Sequence, residues 1–186
     1  ELLRCVGIGG AGSVWAATDR TDGRDYALKI LHVADEELIR RTEREARLLR
    51  KGIHPSIVAI RDVVHDERIR RPVLVMELLH GETLQDALNR EPVLAVKDLR
   101  RIFVPIASAA HAAHELGVIH RDITPRNIFL AEDRVYLLDF GIAKILPSAG
   151  GVTITNFVTQ EGTFVGTPRF MAPERIFGEE CTAAAD

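Results

Sequence analysis

The sequence predicts an α+β fold in which a small antiparallel sheet with one helix precedes a mainly helical half. Three observations carry this. Up to residue 79, short apolar runs alternate with turns bearing Gly, Asp and Pro, the signature of strands. A single amphipathic stretch, Asp35–Lys51, interrupts them. From Thr83 onward apolar residues recur at helical spacing. The chain of 186 residues fits one domain or two small lobes. Its 46% hydrophobic and 27% charged residues suit a packed core with a solvated surface. A net charge of -3 leaves no basic footprint for nucleic acid or an anionic membrane. Apolar runs such as Pro72–Leu79 are too short to cross a bilayer. Cys5 and Cys181 lack metal-ligand spacing and read as two reduced thiols of a cytosolic protein. There is no initiator Met or signal segment, and the chain opens on strand-like Glu1-Leu2-Leu3, so the expectation is a piece of something longer.

Each element has a local reason. Leu2–Gly7 and Ser13–Ala17 flank Gly7, Gly9, Gly10 and Gly12, which predicts a glycine-tipped hairpin. Thr21-Asp22-Gly23 is a turn and Tyr26–Leu31 a third strand. Asp35 caps the helix and Gly52 stops it before His54-Pro55. Ile57–Val64 and Pro72–Leu79 complete five antiparallel strands. The hinge falls near Glu77–Gly81, dividing the chain into 1–79 and 80–186. Thr83, with Asp86 three residues on, caps a short helix. Leu99, Ile102, Phe103, Ile106, Ala110, Ala113 and Leu116 mark a longer one, ended by Gly117. Val118–Asp122, Ile128–Leu130 and Val135–Leu138 read as short strands or strand-like pieces, and Ser148–Gly166 as a loop.

The chemistry concentrates in the segment His120–Asn127, H-R-D-I-T-P-R-N, and in Leu137–Gly141, L-L-D-F-G. Asp122 and Asn127 offer a carboxylate and an amide five residues apart, and Asp139 a second carboxylate. That is the smallest set able to orient a hydroxyl and hold Mg²⁺ on a nucleotide. The glycine cluster lets a backbone approach phosphates, although a glycine hairpin with no ligand is an equally good reading of that motif alone. Strand, not helix, follows it, which excludes a Rossmann-type turn. Lys29 alone reads equally well as a solvated lysine. Glu45 shifts the balance, because it shares a helical stripe with Leu38, Leu48 and Leu49 that should face the sheet. A half-buried carboxylate needs a partner, and Lys29 on the neighbouring strand is the best placed. Glu43 is the alternative, off that stripe.

Gly7–Val14 (G-I-G-G-A-G-S-V), Ala27–Lys29 (A-L-K), H-R-D…N, D-F-G and Ala172–Glu174 (A-P-E) occur in one order across nearly the whole chain. In this the chain resembles a eukaryotic-type (Hanks-type) protein kinase domain, two-lobed, and H-P-S-I-V and G-I-A-K look most like bacterial serine/threonine kinases. The resemblance implies ATP and Mg²⁺, with Mn²⁺ as a substitute, and a protein substrate bearing a Ser or Thr acceptor. Gly7, Ile8, Gly9, Gly10 and Gly12 would cover the phosphates. Val14, Ala27 and Phe129 would sandwich the adenine, with Glu77 and Leu79 at its edge and Met76 as gatekeeper. Lys29, held by Glu45, would bind the α/β-phosphates; Asn127 and Asp139 would bind the metal; Asp122 would orient the attacking hydroxyl and accept its proton. Arg121, Lys144 and Arg41 would meet a phosphate on the activation loop, with Thr159 and Thr163 as first acceptors and Thr153 and Thr155 next. Self-association for autophosphorylation and a cytoplasmic location, with any membrane anchor outside this chain, complete the expectation.

Two departures stand out. Thr124 occupies the place of a lysine that marks serine/threonine kinases, with Arg126 the nearest replacement; Gly166-Thr167-Pro168-Arg169-Phe170 still looks serine/threonine-like, with Phe170 where tyrosine is common. The family's domain continues past A-P-E, whereas Asp186 resembles the start of its central buried helix and an arginine partner for Glu174 would lie beyond. The expectation is a segment that is marginal or inactive by itself, from a parent that is a kinase. Two rival functions are a nucleotide-binding pseudokinase and a small-molecule kinase of the aminoglycoside type; the second would lack G-T-P-R-F-M-A-P-E.

Overall fold

In a computed structural model, the structure describes residues 1–9, 12–32, 36–49, 52–66, 69, 71–140, 168–177, 179 and 181–186, without the side chains of 36–38, 41, 42, 45, 49, 66 and 168. Strands β1 (Leu2–Gly9), β2 (Gly12–Thr18), β3 (Asp25–Leu31), β4 (Ile60–Asp66) and β5 (Arg71–Glu77) form one sheet in the order β1-β2-β3-β5-β4. All its pairings are antiparallel, and helix α1 (Glu36–Leu49) lies between β3 and β4 in the chain. The β1–β2 hairpin closes at Gly9 opposite Gly12. β4 begins at Ile60, three residues later than the apolar run Ile57–Val64 suggested. Ile57 instead makes a parallel bridge to Leu137, and the Leu137 N–H donates to the Ser56 carbonyl at 2.7 Å. Those residues tie the sheet-rich half to the helical one.

The second half opens on a strand that periodicity did not reveal, β6 (Gly81–Thr83). It pairs with β7 (Ile128–Ala131), which pairs with β8 (Val135–Leu137). Gly81 sits at φ 147°, and a Cβ there would lie 2.1 Å from the Leu130 carbonyl oxygen, so the pairing requires glycine. Helix α2 (Leu84–Arg90) starts in the predicted capping box, Asp86 N–H on Thr83 Oγ1 and Thr83 N–H on Asp86 Oδ2. Helix α3 (Val96–His114) ends before Gly117, which adopts φ 72°. Helix α4 (Pro173–Ile176) is a single turn.

On both helices the buried residues differ in part from the expected stripes. On α3 the buried face is Ile102, Ile106, Ala109, Ala110 and Ala113, while Leu99 and Phe103, and Leu116 beyond the helix, are exposed. On α1 Ala46 is fully buried, Ile39 packs against the core, and Leu48 is 40% exposed. The inward face therefore runs through Ile39, Glu43 and Ala46, not through Leu48. Val118–Asp122 is not a strand: the N–H groups of His120, Arg121 and Asp122 go to side chains and not to a ladder. One continuous core joins the halves, running from Ala27, Leu31 and Met76 through Ile57 and Ile60 to Ile106, Ile128, Leu137 and Phe140.

Candidate active site

Alternation along β3 puts Ala27, Lys29 and Leu31 on one face of the sheet. Directly opposed residues share a face, so Val14 (opposite Lys29), Met76 (opposite Ala27) and Leu74 (opposite Lys29) join them. Ala27 and Met76 are buried, Val14 and Leu79 half-buried, and Glu77 exposed at the end of β5. Gly7 lies opposite Val14. A Cβ at Gly7 or Gly9 would meet nothing within 4 Å, so the hairpin borders open space. Ile8 is 78% exposed at the same edge. Phe129 stands on β7 in the other half, half-buried, with its ring edge toward Gly81. Gly10 and Gly141 lie outside the described residues, as do Lys144 and Thr153, Thr155, Thr159 and Thr163.

Lys29 is 6% exposed, and its Nζ lies 2.5 Å from Oδ1 of Asp139. The described partner of Lys29 is therefore Asp139; the expected Glu45 partner, like Arg41, has its side chain outside the described set. The alternative, Glu43, meets His65 at 3.0 Å and Arg47 at 3.8 Å. Asp139 adopts φ 55°, a left-handed conformation uncommon for a non-glycine residue and typical of constrained sites.

Backbone and ring bonds weld the two chemical segments together. Leu138 donates its N–H to the Asn127 carbonyl at 2.8 Å, and its own carbonyl receives His120 Nε2 at 2.6 Å. His120 Nδ1 accepts the Asp122 N–H at 3.2 Å. A neutral imidazole with its proton on Nε2 satisfies both bonds. Its ring is fully buried, 4.8 Å from that of Phe140, and burial pushes its pKa below the usual histidine range. Asn127 ends the turn Pro125–Asn127 and donates Nδ2 to the Asp122 carbonyl (2.8 Å) and to Asp122 Oδ2 (2.7 Å). This holds the Asp122 carboxylate and leaves the Asn127 amide oxygen as its acceptor end. Asp139 and Asn127 thus offer two hard oxygen donors on backbone segments bonded to each other, with the Lys29 ammonium on Asp139. That set fits a nucleotide with a divalent cation, which is commonly bound by one or two protein oxygens plus substrate phosphates.

One site residue carried no local signal. Asp186 is 1% exposed at its side chain and accepts the N–H groups of His120 and Arg121, each at 2.6 Å, and His114 Nε2 at 2.8 Å. The sequence places it after an alanine run, with nothing to say which backbone it anchors. Arg121, held by it, adopts φ 67°, and its Nε is buried with no hydrogen-bond partner among the described residues. Thr124 precedes the turn without capping it, and Arg126 is exposed.

Comparison with known proteins agrees with this geometry. The family model described as "Protein kinase domain" matches residues 1–186. A probable serine/threonine-protein kinase of Corynebacterium efficiens is 35% identical over 192 residues, covering 100% of this chain and 28% of the relative. Serine/threonine-protein kinase PknA of Mycobacterium tuberculosis is 35% identical over 193 residues, covering 100% and 43%. The chain therefore spans less than half the length of these relatives. Among solved structures, the Mycobacterium tuberculosis PknI kinase domain superposes with a TM-score of 0.74 at 28% identity, over 100% of this chain and 67% of that one. A Rad53 structure in complex with AMP-PNP superposes with a TM-score of 0.73 at 28% identity, over 95% and 42%. The chain belongs to the protein kinase domain family, alongside bacterial serine/threonine kinases.

Proposed function

We propose that this domain transfers the γ-phosphoryl group of ATP to a serine or threonine hydroxyl of a protein. The observation that carries the reading is the joining of Lys29–Asp139 to Asp122–Asn127 through His120 and Leu138. With ATP bound, a divalent cation, Mg²⁺ or in its place Mn²⁺, would neutralise phosphate charge. Asn127 and Asp139 would hold it. Lys29 would bind the α/β-phosphates, with Glu45 as its second partner. Gly7, Ile8, Gly9, Gly10 and Gly12 would line the phosphates. Val14, Ala27, Met76, Glu77, Leu79 and Phe129 would line the base, three of them, Val14, Ala27 and Met76, supported by the sheet face they share with Lys29. Asp122, its carboxylate fixed by Asn127, would align the acceptor hydroxyl and take its proton. Positioning and charge neutralisation supply most of the rate in such a site.

The same reading divides the lobes between residues 79 and 80, in the connection from β5 to β6. The buried Nε of Arg121, without a hydrogen-bond partner among the described residues, supports a phosphate on Thr159 or Thr163 as a switch, delivered by a second copy of the chain. Among the described residues no helix is long and apolar enough to cross a membrane. Use of ATP and two cysteines without a disulfide go with a cytoplasmic site of action.

The test is transfer of labelled phosphate from ATP to a serine-rich protein by the full-length protein. Asp122→Asn and Asp139→Ala should each lower transfer by at least about 100-fold. Asp122→Asn should keep ATP affinity within about threefold, since the nucleotide contacts are untouched. Transfer unchanged in both variants would refute the assignment.

A further inference from the structure

The peptide groups around Asp122 are gripped from several elements at once. Asp186 takes the N–H groups of His120 and Arg121, His120 Nδ1 takes that of Asp122, and Asn127 donates to the Asp122 carbonyl. The carbonyl of Arg121, the oxygen of the peptide that leads into Asp122, accepts from Nη1 of Arg175. Arg175 belongs to α4, on the far side of the undescribed stretch 141–167. Its side chain is half-buried, so this bond is made with reduced competition from water. Arg121 itself holds φ 67°, a conformation that persists only where surroundings over-determine it. With Thr124 uncharged and Arg126 exposed, Arg175 is a cation brought onto the loop that carries Asp122.

We infer that Arg175 is a positioning residue for the phosphoryl transfer proposed above, on which this inference rests. Its guanidinium fixes the plane of the 121–122 peptide, and with it the direction in which the Asp122 side chain leaves the backbone. A guanidinium-to-carbonyl bond is charge-assisted and directional, so it resists rotation of that peptide better than a neutral donor does. The arrangement also makes the seat of α4 a condition of activity: when α4 moves, the Arg121 carbonyl loses its donor and Asp122 loses its aim.

The experiment compares full-length wild type, Arg175→Leu and Arg175→Lys by steady-state phosphate transfer and by amide hydrogen exchange. Arg175→Leu should lower kcat by about 30-fold while KM for ATP stays within about twofold, because Lys29, Asp139 and the glycine hairpin are untouched. Arg175→Lys, which keeps a charged donor, should return kcat to within about threefold of wild type. Exchange in residues 119–123 should rise about fivefold in Arg175→Leu, with β3 and α1 unchanged. An Arg175→Leu protein with wild-type kcat and wild-type exchange in 119–123 would overturn the inference. So would parallel losses in kcat, KM and β3 protection in both variants, which would mark a general loss of fold. If wild type transfers no phosphate, the transfer reading fails by itself, and exchange in 119–123 decides whether Arg175 grips the loop.

Discussion

Two glycines of this chain have opposite relations to their surroundings, and the difference is measurable. Gly81 needs φ 147°, and a Cβ would lie 2.1 Å from a backbone oxygen of β7, an atom that cannot swing aside. Gly9 has nothing within 4 Å of where its Cβ would stand. We therefore expect Gly81→Ala to cost about 2–4 kcal/mol in denaturant unfolding, through strain and lost β6–β7 pairing. Gly9→Ala should leave stability within about 0.5 kcal/mol and weaken ATP binding instead, because the new methyl enters the space the phosphates would use. Equal destabilisation by the two would show that the hairpin glycine is structural. The glycine cluster was visible in the sequence as a run, whereas Gly81 was visible only as a boundary. A close approach between strands separated by some fifty residues of chain leaves no local mark. Lys29 shows the same limit: its place on β3 and its need of a carboxylate were legible, but Asp139 as the described partner was not.

At the scale of elements, local chemistry was the better guide to where a helix starts than to which side it buries. Thr83 and Asp86 satisfy each other's backbone N–H groups within one turn, so the signal is contained in four residues. Thr83→Ala removes the side-chain acceptor for the Asp86 N–H and should destabilise the protein by about 1 kcal/mol, read as a shift of the urea midpoint. No shift would mean that the pairing of β6 with β7 alone sets the start of α2. Stripe assignments fared worse for a physical reason. A period of 3.6 residues marks an amphipathic helix, but where apolar residues occupy more than one face, packing chooses between them. On α3 the small residues Ala109, Ala110 and Ala113 go inward and Phe103 stays out. On α1 Ala46 goes inward and Leu48 stays out. Small side chains let a helix approach its neighbour closely, a preference that counting hydrophobic positions misses.

Two hydrogen-bonded clusters of the molecule depend on neutral histidines, one inside the helical half and one crossing between the halves. His120 bonds Leu138 and Asp122 through its two ring nitrogens. His54 Nδ1 accepts the Ser56 N–H at 3.0 Å while Nε2 meets Ser108 Oγ of α3 at 3.1 Å, linking the loop before β4 to the helical half. Burial lowers both pKa values from the ordinary 6.5. The unfolded chain therefore binds more protons than the folded one once the pH drops below about 6.5, and stability falls in that direction. The contribution is complete above 6.5 and is lost progressively toward the lower folded values. The carboxylates with lowered pKa, Asp19 and Asp22 beside their hydrogen-bond donors and Glu82 beside Arg90, titrate below their ordinary values near 4 and act in a separate, more acid window. Unfolding free energy measured in urea should thus decline between pH 7.5 and pH 5.5. The decline should be shallower in His54→Gln, which removes one titrating group while keeping an amide able to bond Ser108. A wild type equally stable at both pH values would mean that the two imidazoles are solvated enough to take up protons without breaking their bonds.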